Sequence, residues 1–151
     1  MRLLGLDVSE KRIGVAMTDP LGWTVQPITT LQRQRLELDL ETIVTYVQDY
    51  GIRQIVVGLP LRGVEGIVGA QAEKVLAFCE ALRGYCVGRG VPTAVLPWDE
   101  SLTTREARAL LKAQGTRRKR RKQAEDQLAA VLILQSYLAA EQEKLCGCSG
   151  D

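Results

Sequence analysis

Apolar side chains recur along the first part of this chain with a period of two. They alternate with smaller or polar residues over Arg2–Val8, Arg12–Thr18 and 24–31. Such alternation is typical of β-strands, and short links between strands are typical of hairpins. We therefore expect the chain to open with an antiparallel meander of three strands.

The period changes after this meander. Leu36, Leu40, Ile43 and Val47 follow helical spacing, and Gly51 suits the end of that helix. Two continuous apolar runs then predict buried strands of the parallel type. In chain order, the further predicted elements are a strand over 55–59, a helix over 68–89, a strand over 91–96, a helix that begins near Thr103, and a last helix over 123–141.

This order of elements predicts an α/β fold. A meander followed by βαβ units gives a mixed five-stranded sheet flanked by helices. The length of 151 residues suits one domain, spanning 1–151, with 139–151 as a loose tail. Ligands of such sheets lie beyond the carboxyl ends of the strands, where the sequence has Asp7 and Glu100.

Composition narrows the chemistry, because the chain contains no histidine. Ser-His-Asp and Cys-His catalysis and histidine-ligated metals are excluded together. Hydrolysis would then rest on carboxylates, which favour hard ions such as Mg²⁺ and Mn²⁺. No apolar run approaches the roughly 20 residues that span a bilayer. We expect a soluble cytoplasmic protein with no membrane partner.

Three acidic residues lie at positions that suit a site for two metal ions. Asp7 ends the first strand, Glu100 follows the last strand, and Asp126 lies in the first turn of the final helix. Carboxylates brought together from distant parts of a chain can hold two ions for phosphodiester hydrolysis. Each acid also has a structural explanation as a turn or helix cap. On spacing alone, Glu125 is as plausible as Asp126.

Positive charge is concentrated just before the last helix. The formal net charge is only +2, yet 101–122 holds nine basic residues and one acidic residue. Such a run is either a solvated segment or a phosphate-binding one that gives affinity without sequence specificity. The residues assigned to the phosphate backbone are Lys11 and Arg12 after the first strand, and the run Arg117, Arg118, Lys119, Arg120, Arg121 and Lys122.

Four blocks of the sequence resemble the YqgF/RuvX family of pre-16S rRNA nucleases, also described as Holliday-junction-resolvase-like. The blocks occur in the family's order and together extend from Arg2 to about Leu138. They are LDVSEKRIGVA at 6–16, VVGLPL at 56–61, DESLTT at 99–104, and DQLAA at 126–130 with Leu134-Gln135.

The resemblance implies an RNase H-like fold and metal-dependent cleavage of nucleic acid. It implies that Asp7, Glu100 and Asp126 bind the ions, Mg²⁺ or Mn²⁺, and so prefers Asp126 to Glu125. It also implies a bacterial cytoplasmic role in maturing the 5′ end of 16S rRNA, with the small-subunit precursor as a partner. The chain departs from the family pattern at Ser9, where Gly is usual, and at Ser101, where Arg is usual.

Other functions stay open at this point. A Holliday junction resolvase would use the same acids on branched DNA, as a symmetric dimer, so monomer and homodimer are both open. A nucleic-acid-binding factor with a vestigial site is a second alternative. An actin-like ATPase or sugar kinase is disfavoured, because the chain is too short for the two domains that enclose a nucleotide.

Overall fold

The computed structural model describes residues 1–60, 69–99 and 127–141. The predicted helix near Thr103, the basic run and most of the predicted tail lie outside these residues, as do Glu100 and Asp126. The described elements are β1 (Arg2–Val8), β2 (Arg12–Thr18), β3 (Val25–Gln32), α1 (Leu36–Tyr50), β4 (Ile52–Leu59), α2 (Ala70–Gly88), β5 (Ala94–Asp99) and the described part of a last helix, α3 (127–141).

The sheet confirms the predicted mixed architecture. Its strand order is β3-β2-β1-β4-β5, so β1 is central. Strands β1, β2 and β3 pair antiparallel, as expected for a meander. Strand β4 pairs parallel with β1, and β5 pairs parallel with β4. The carboxyl ends of β1, β4 and β5 therefore meet at one edge of the sheet.

Helices cover both faces of the sheet. On β1, Leu4, Leu6 and Val8 belong to the core beneath α1 and α2. Leu3 belongs to a second core, in which Ala130, Leu134 and other residues of α3 pack. Because side chains alternate along a strand, Gly5 and Asp7 face the same side as Leu3. Asp7 therefore points to the side of the sheet that α3 covers.

Helix α1 ends as the sequence predicts. Gly51 has a left-handed backbone (φ 63°), and its N–H donates to the carbonyl oxygen of Val47. Glycine tolerates this conformation without strain. The chain then enters the sheet at once, since Ile52 is buried and pairs with Arg2. Strand β4 thus begins three residues before the predicted start.

The predicted bounds of β5 were also wrong. Gly90 turns the chain with φ 66°, and the Val91 N–H donates to the Cys86 carbonyl oxygen at 2.9 Å. Residues 91–93 therefore complete the end of α2 instead of forming a strand. Pro97 lies inside the strand, paired with Val57. Proline is tolerated there because β5 is an edge strand.

Candidate active site

Asp7 lies half-buried near the carboxyl end of the central strand. It pairs with Gly14 of β2, and Gly14 pairs in turn with Thr30 of β3. On the other side, Leu6 pairs with Val57, so the next position places Gly58 of β4 beside Asp7. The carboxylate therefore has a residue without a side chain on each neighbouring strand.

The row of residues that pair across the sheet at Asp7 continues to the last strand, β5. Gly58 pairs with Trp98 of β5, and the indole Nε1 of Trp98 donates to the Ser136 hydroxyl of α3 at 3.1 Å. Glycine inside a strand often marks a place where a ligand or another backbone approaches closely. The two glycines leave a space without side chains directly beside Asp7 in this row of the sheet. Such a space suits an ion or a phosphate group.

Helix α3 crosses the sheet from this row to the opposite end of β1. At its described start, the amide Nε2 of Gln127 donates to the Thr30 hydroxyl at 3.2 Å. Near its other end, the Tyr137 hydroxyl shares hydrogen bonds of 3.0 and 3.3 Å with the Gln54 amide, next to Leu3. The chain therefore enters α3 at the Asp7 end of the sheet.

Gly5 allows α3 to approach β1 directly. A Cβ atom at this position would lie 2.5 Å from Cγ of Leu134 and 3.0 Å from the carbonyl oxygen of Ala130. Real Cβ atoms do not approach other atoms so closely, so only glycine fits without movement of α3. The sequence analysis missed this contact, because nothing local distinguishes a packing glycine from a flexible one.

Of the three predicted carboxylates, the structure describes Asp7 alone. Asp99, the residue before Glu100, ends β5 and pairs with Leu59. Gln127, the residue after Asp126, is the α3 residue that contacts Thr30. Within 1–60, 69–99 and 127–141, no group of three or more Cys, Asp or Glu side chains is placed to hold a metal. The metal-binding set thus stays a prediction.

Ser9 closes the turn between β1 and β2, directly beyond Asp7. Its hydroxyl donates to the carbonyl oxygen of Arg12 at 2.8 Å and accepts from the Arg12 N–H at 3.2 Å. The turn exposes Lys11, while the Arg12 side chain is half-buried. Glu10 pairs with Lys74 of α2 at 2.8 Å, and this hydrogen bond and charge lower the pKa of Glu10.

An ion pair between a half-buried arginine and a buried aspartate holds the same turn in place. Nε of Arg33 lies 3.1 Å from Oδ2 of Asp39, which is almost fully buried. The guanidinium also donates to the Ser9 carbonyl oxygen at 3.0 Å and lies over the Phe78 ring. The Arg33 N–H donates to the Lys11 carbonyl oxygen at 2.8 Å. One side chain thus links the turn to α1 and α2.

The sequence analysis missed Arg33 and Asp39. A signal was present, since Asp39 lies three residues after Leu36 and one before Leu40, within the apolar stripe of α1. A charge in such a stripe indicates a buried partner. Nothing in the local sequence identifies Arg33 as that partner.

The described part of the chain has no helix that is long and apolar enough to cross a membrane. Its fold is shared with solved structures of two resolvases. The structure titled "T. thermophilus RuvC in complex with Holliday junction substrate" matches with a TM-score of 0.55 at 14% identity, over 91% of this chain and 96% of that chain. The Fowlpox virus resolvase in complex with Holliday junction DNA matches with a TM-score of 0.55 at 11% identity, over 93% and 98%. At these identities the likeness concerns the fold alone, and it confirms the RNase H-like class.

Sequence similarity identifies the family. The family model for RuvX, described as Holliday junction resolvase, matches residues 1–140, so the chain belongs to this family. A relative from Syntrophus aciditrophicus (strain SB) is 47% identical over 146 residues, which are 96% of this chain and 93% of the relative. One from Moorella thermoacetica (strain ATCC 39073 / JCM 9320) is 49% identical over 139 residues, 91% and 94%. Both relatives carry the name "Putative pre-16S rRNA nuclease".

Proposed function

We propose that this protein is a divalent-metal-dependent nuclease that processes the 5′ end of pre-16S rRNA. The observation that carries the proposal is Asp7, a half-buried carboxylate at the end of the central strand with Gly14 and Gly58 on either side. The names of the relatives from Syntrophus and Moorella support the nuclease activity and the rRNA substrate.

Chain connectivity supports Glu100 and Asp126 as the other two ligands. Glu100 follows Asp99 on β5, and Asp126 precedes Gln127, which contacts the row that contains Asp7. Consecutive Cα atoms lie about 3.8 Å apart, and neighbouring strands about 4.8 Å apart. The described neighbours Asp99 and Gln127 are therefore both tied to the sheet near the end where Asp7 lies, and this supports Glu100 and Asp126 as the remaining ligands.

The donor set fits hard cations. Three carboxylates offer only oxygen ligands, which Mg²⁺ and Mn²⁺ prefer. Two such ions, when bound, supply an activated water and stabilise charge on the leaving oxygen. The protein holds the ions through Asp7, Glu100 and Asp126.

The remaining residues of the site orient the substrate. Lys11 is exposed beside Asp7, in a turn that Arg33 and Ser9 fix from below. Together with Arg12 and the basic run, it would bind the phosphate backbone of the substrate; the run is Arg117, Arg118, Lys119, Arg120, Arg121 and Lys122. Because such contacts carry no sequence information, selection of the cleavage position would come from RNA structure or from the small-subunit precursor. This substrate implies a cytoplasmic location.

A substrate comparison tests the proposal. The purified protein is incubated with an end-labelled precursor RNA that carries the 5′ extension of 16S rRNA, in Mg²⁺, in Mn²⁺ or in EDTA. The proposal predicts cleavage within the extension that requires a divalent ion. Cleavage that needs no metal would contradict the proposal. So would RNA binding without cleavage, if it is seen both with the protein alone and after the precursor particle is added. The second of these results would favour a non-catalytic binding factor.

A Holliday junction resolvase is the second candidate, favoured by the family description and by the fold shared with RuvC. A labelled four-way DNA junction in the same reactions separates the two. Paired symmetric nicks in the junction, made by a dimer and faster than RNA cleavage, would identify a resolvase.

A further inference from the structure

A cleft lies at the end of the sheet opposite to Asp7. It has a volume of about 420 Å³ and is lined by Met1, Arg2, Pro20, Tyr50, Gly51 and Arg53. Two arginines thus line one concave surface, and no acidic residue lines it among the residues that the structure describes. We call this surface, together with Trp23 on the adjoining turn, the basal cleft. Its charge fits an anionic ligand.

Stacked side chains hold one of these cations in place. The Arg2 guanidinium lies 5.4 Å from the centroid of the Tyr50 ring, and Tyr50 stacks on Tyr46 with centroids 6.3 Å apart. Nη1 of Arg2 also lies 3.8 Å from the Met17 sulfur. A guanidinium held on an aromatic ring loses little further freedom when it binds a phosphate.

Trp23 is displayed on an ordered turn beside the cleft. Its side chain is 82% exposed, and Leu21 in the same turn is 72% exposed. The carboxylate of Asp19 holds the turn, accepting from the Trp23 N–H and from the Thr24 hydroxyl, each at 2.9 Å. Pro20 of this turn lines the cleft. Trp23, Leu21 and the adjoining Met1 are all exposed, and together they form an apolar patch of the kind found at binding surfaces.

An exposed aromatic ring beside arginine side chains is a combination that binds single-stranded nucleic acid. Bases stack on aromatic side chains, while arginines bind the phosphates. A protein partner would use the apolar side chains but would leave Arg2 and Arg53 without counter-charges. The charge of the cleft therefore favours a polyanion.

We propose that the basal cleft is an accessory site for single-stranded RNA, in which a base stacks on Trp23 and Arg2 and Arg53 bind the adjoining phosphates. The inference rests on the proposed function, because it assigns the flanking part of the same RNA substrate to a second surface. Arg2 and Asp7 are five Cα steps apart along β1, about 17 Å at ~3.4 Å per step. An RNA that contacts both surfaces must therefore extend about 17 Å beyond the cleaved bond, a span of several nucleotides.

Fluorescence of Trp23 tests the inference without any cleavage. The chain has two tryptophans, so a Trp98→Phe background makes Trp23 the reporter, and Asp7→Asn prevents turnover. We expect a 20-nucleotide single-stranded RNA to quench Trp23, and a 4-nucleotide RNA, uridine monophosphate and inorganic phosphate to bind at least tenfold more weakly. Arg53→Gln should weaken binding and reduce the dependence of log affinity on log salt by about 0.7. In an anisotropy titration with labelled RNA, Trp23→Ala should weaken binding about 5- to 150-fold.

Arg35→Gln is the matched control, since Arg35 is exposed at the opposite end of α1 from Tyr50. It should leave the quenching of Trp23 unchanged. Three results would overturn the inference: no quenching by the long RNA, equal binding of the mononucleotide, or quenching that depends on protein concentration without RNA, which would indicate a second copy in the cleft. Cleavage by the wild type is measured separately. If the wild type cleaves RNA but Trp23 fluorescence does not change, only the accessory site is contradicted. If Trp23 is quenched but no RNA is cleaved, the proposed nuclease function is contradicted.

Discussion

Alanine at position 5 has no room beside α3. Its Cβ would lie 2.5 Å from Cγ and 2.9 Å from Cδ1 of Leu134, and 3.0 Å from the Ala130 carbonyl oxygen. Leu134 is fully buried, so its side chain cannot swing out of the way. Overpacking of this kind costs about 1–3 kcal/mol. We therefore expect Gly5→Ala to lower the free energy of unfolding by about 2 kcal/mol.

A double-mutant cycle locates the cause of this loss. Leu134→Ala alone should cost about 2–5 kcal/mol, because it opens a cavity. It also removes both leucine atoms that clash with the new methyl group, leaving only the backbone oxygen of Ala130. In the Leu134→Ala background, Gly5→Ala should then cost less than about 1 kcal/mol, so the two changes couple by about 1 kcal/mol or more.

Urea unfolding of the four proteins measures the cycle. Gly84→Ala is the control, because no atom lies within 4 Å of a Cβ at this helical position. This change should stabilise the protein by about 0.4–1 kcal/mol. The reasoning is refuted if Gly5→Ala is as stable as the wild type, or if its cost is the same in both Leu134 backgrounds.

Three further changes probe the turn and the core. Asp39→Ala removes the buried carboxylate that accepts from the half-buried Arg33 guanidinium, and it should lower the free energy of unfolding in urea by about 2 kcal/mol; the exposed Asp49→Ala should change it by less than about 0.5 kcal/mol. Ser9→Ala removes two hydrogen bonds to Arg12 and should cost about 1 kcal/mol in the same assay, with a cost of zero contradicting their role. Burial raises the pKa of the Cys79 thiol from 9.0 to about 11, so between these pH values only the unfolded thiol ionises and stability should fall as pH rises; an identical fall between about pH 9 and pH 11 in Cys79→Ala would contradict this.

The fold was predictable where each residue's local neighbours decide its structure. Strands β1 and β2 have the predicted bounds, because their alternation matches the two faces of a sheet that is covered on both sides. The start of β4 was missed because Arg53 and Gln54 are polar, although both lie within the strand and Gln54 pairs with Leu3. The bounds of β5 failed because Pro97 suggested a break, whereas the chain turns at Gly90.

In the candidate site, too, features set by local sequence were predictable and long-range contacts were not. The position of Asp7 at a strand end follows from the sequence pattern alone. The contact of Gln127 with Thr30 joins residues 97 positions apart, and the pair of Arg33 and Asp39 depends on how α1 meets the turn after β1. Such pairings are set by tertiary packing, and no local pattern encodes them. The basic run and the other two acids were assigned from sequence, and their assignment stays a prediction.

The central claim is that Asp7 holds the ions that cleave RNA, and one rate comparison tests it most directly. Cleavage of the 5′-extended 16S precursor is measured at saturating enzyme in Mn²⁺ for the wild type, Asp7→Asn and the control Asp49→Asn. Asparagine keeps the size of the side chain but loses the charge. Because changes around a metal's ligands already cost 10–100-fold, we expect Asp7→Asn to reduce the rate by more than about 100-fold, with unchanged RNA affinity and thermal unfolding. Cleavage by Asp7→Asn at the wild-type rate would contradict the account.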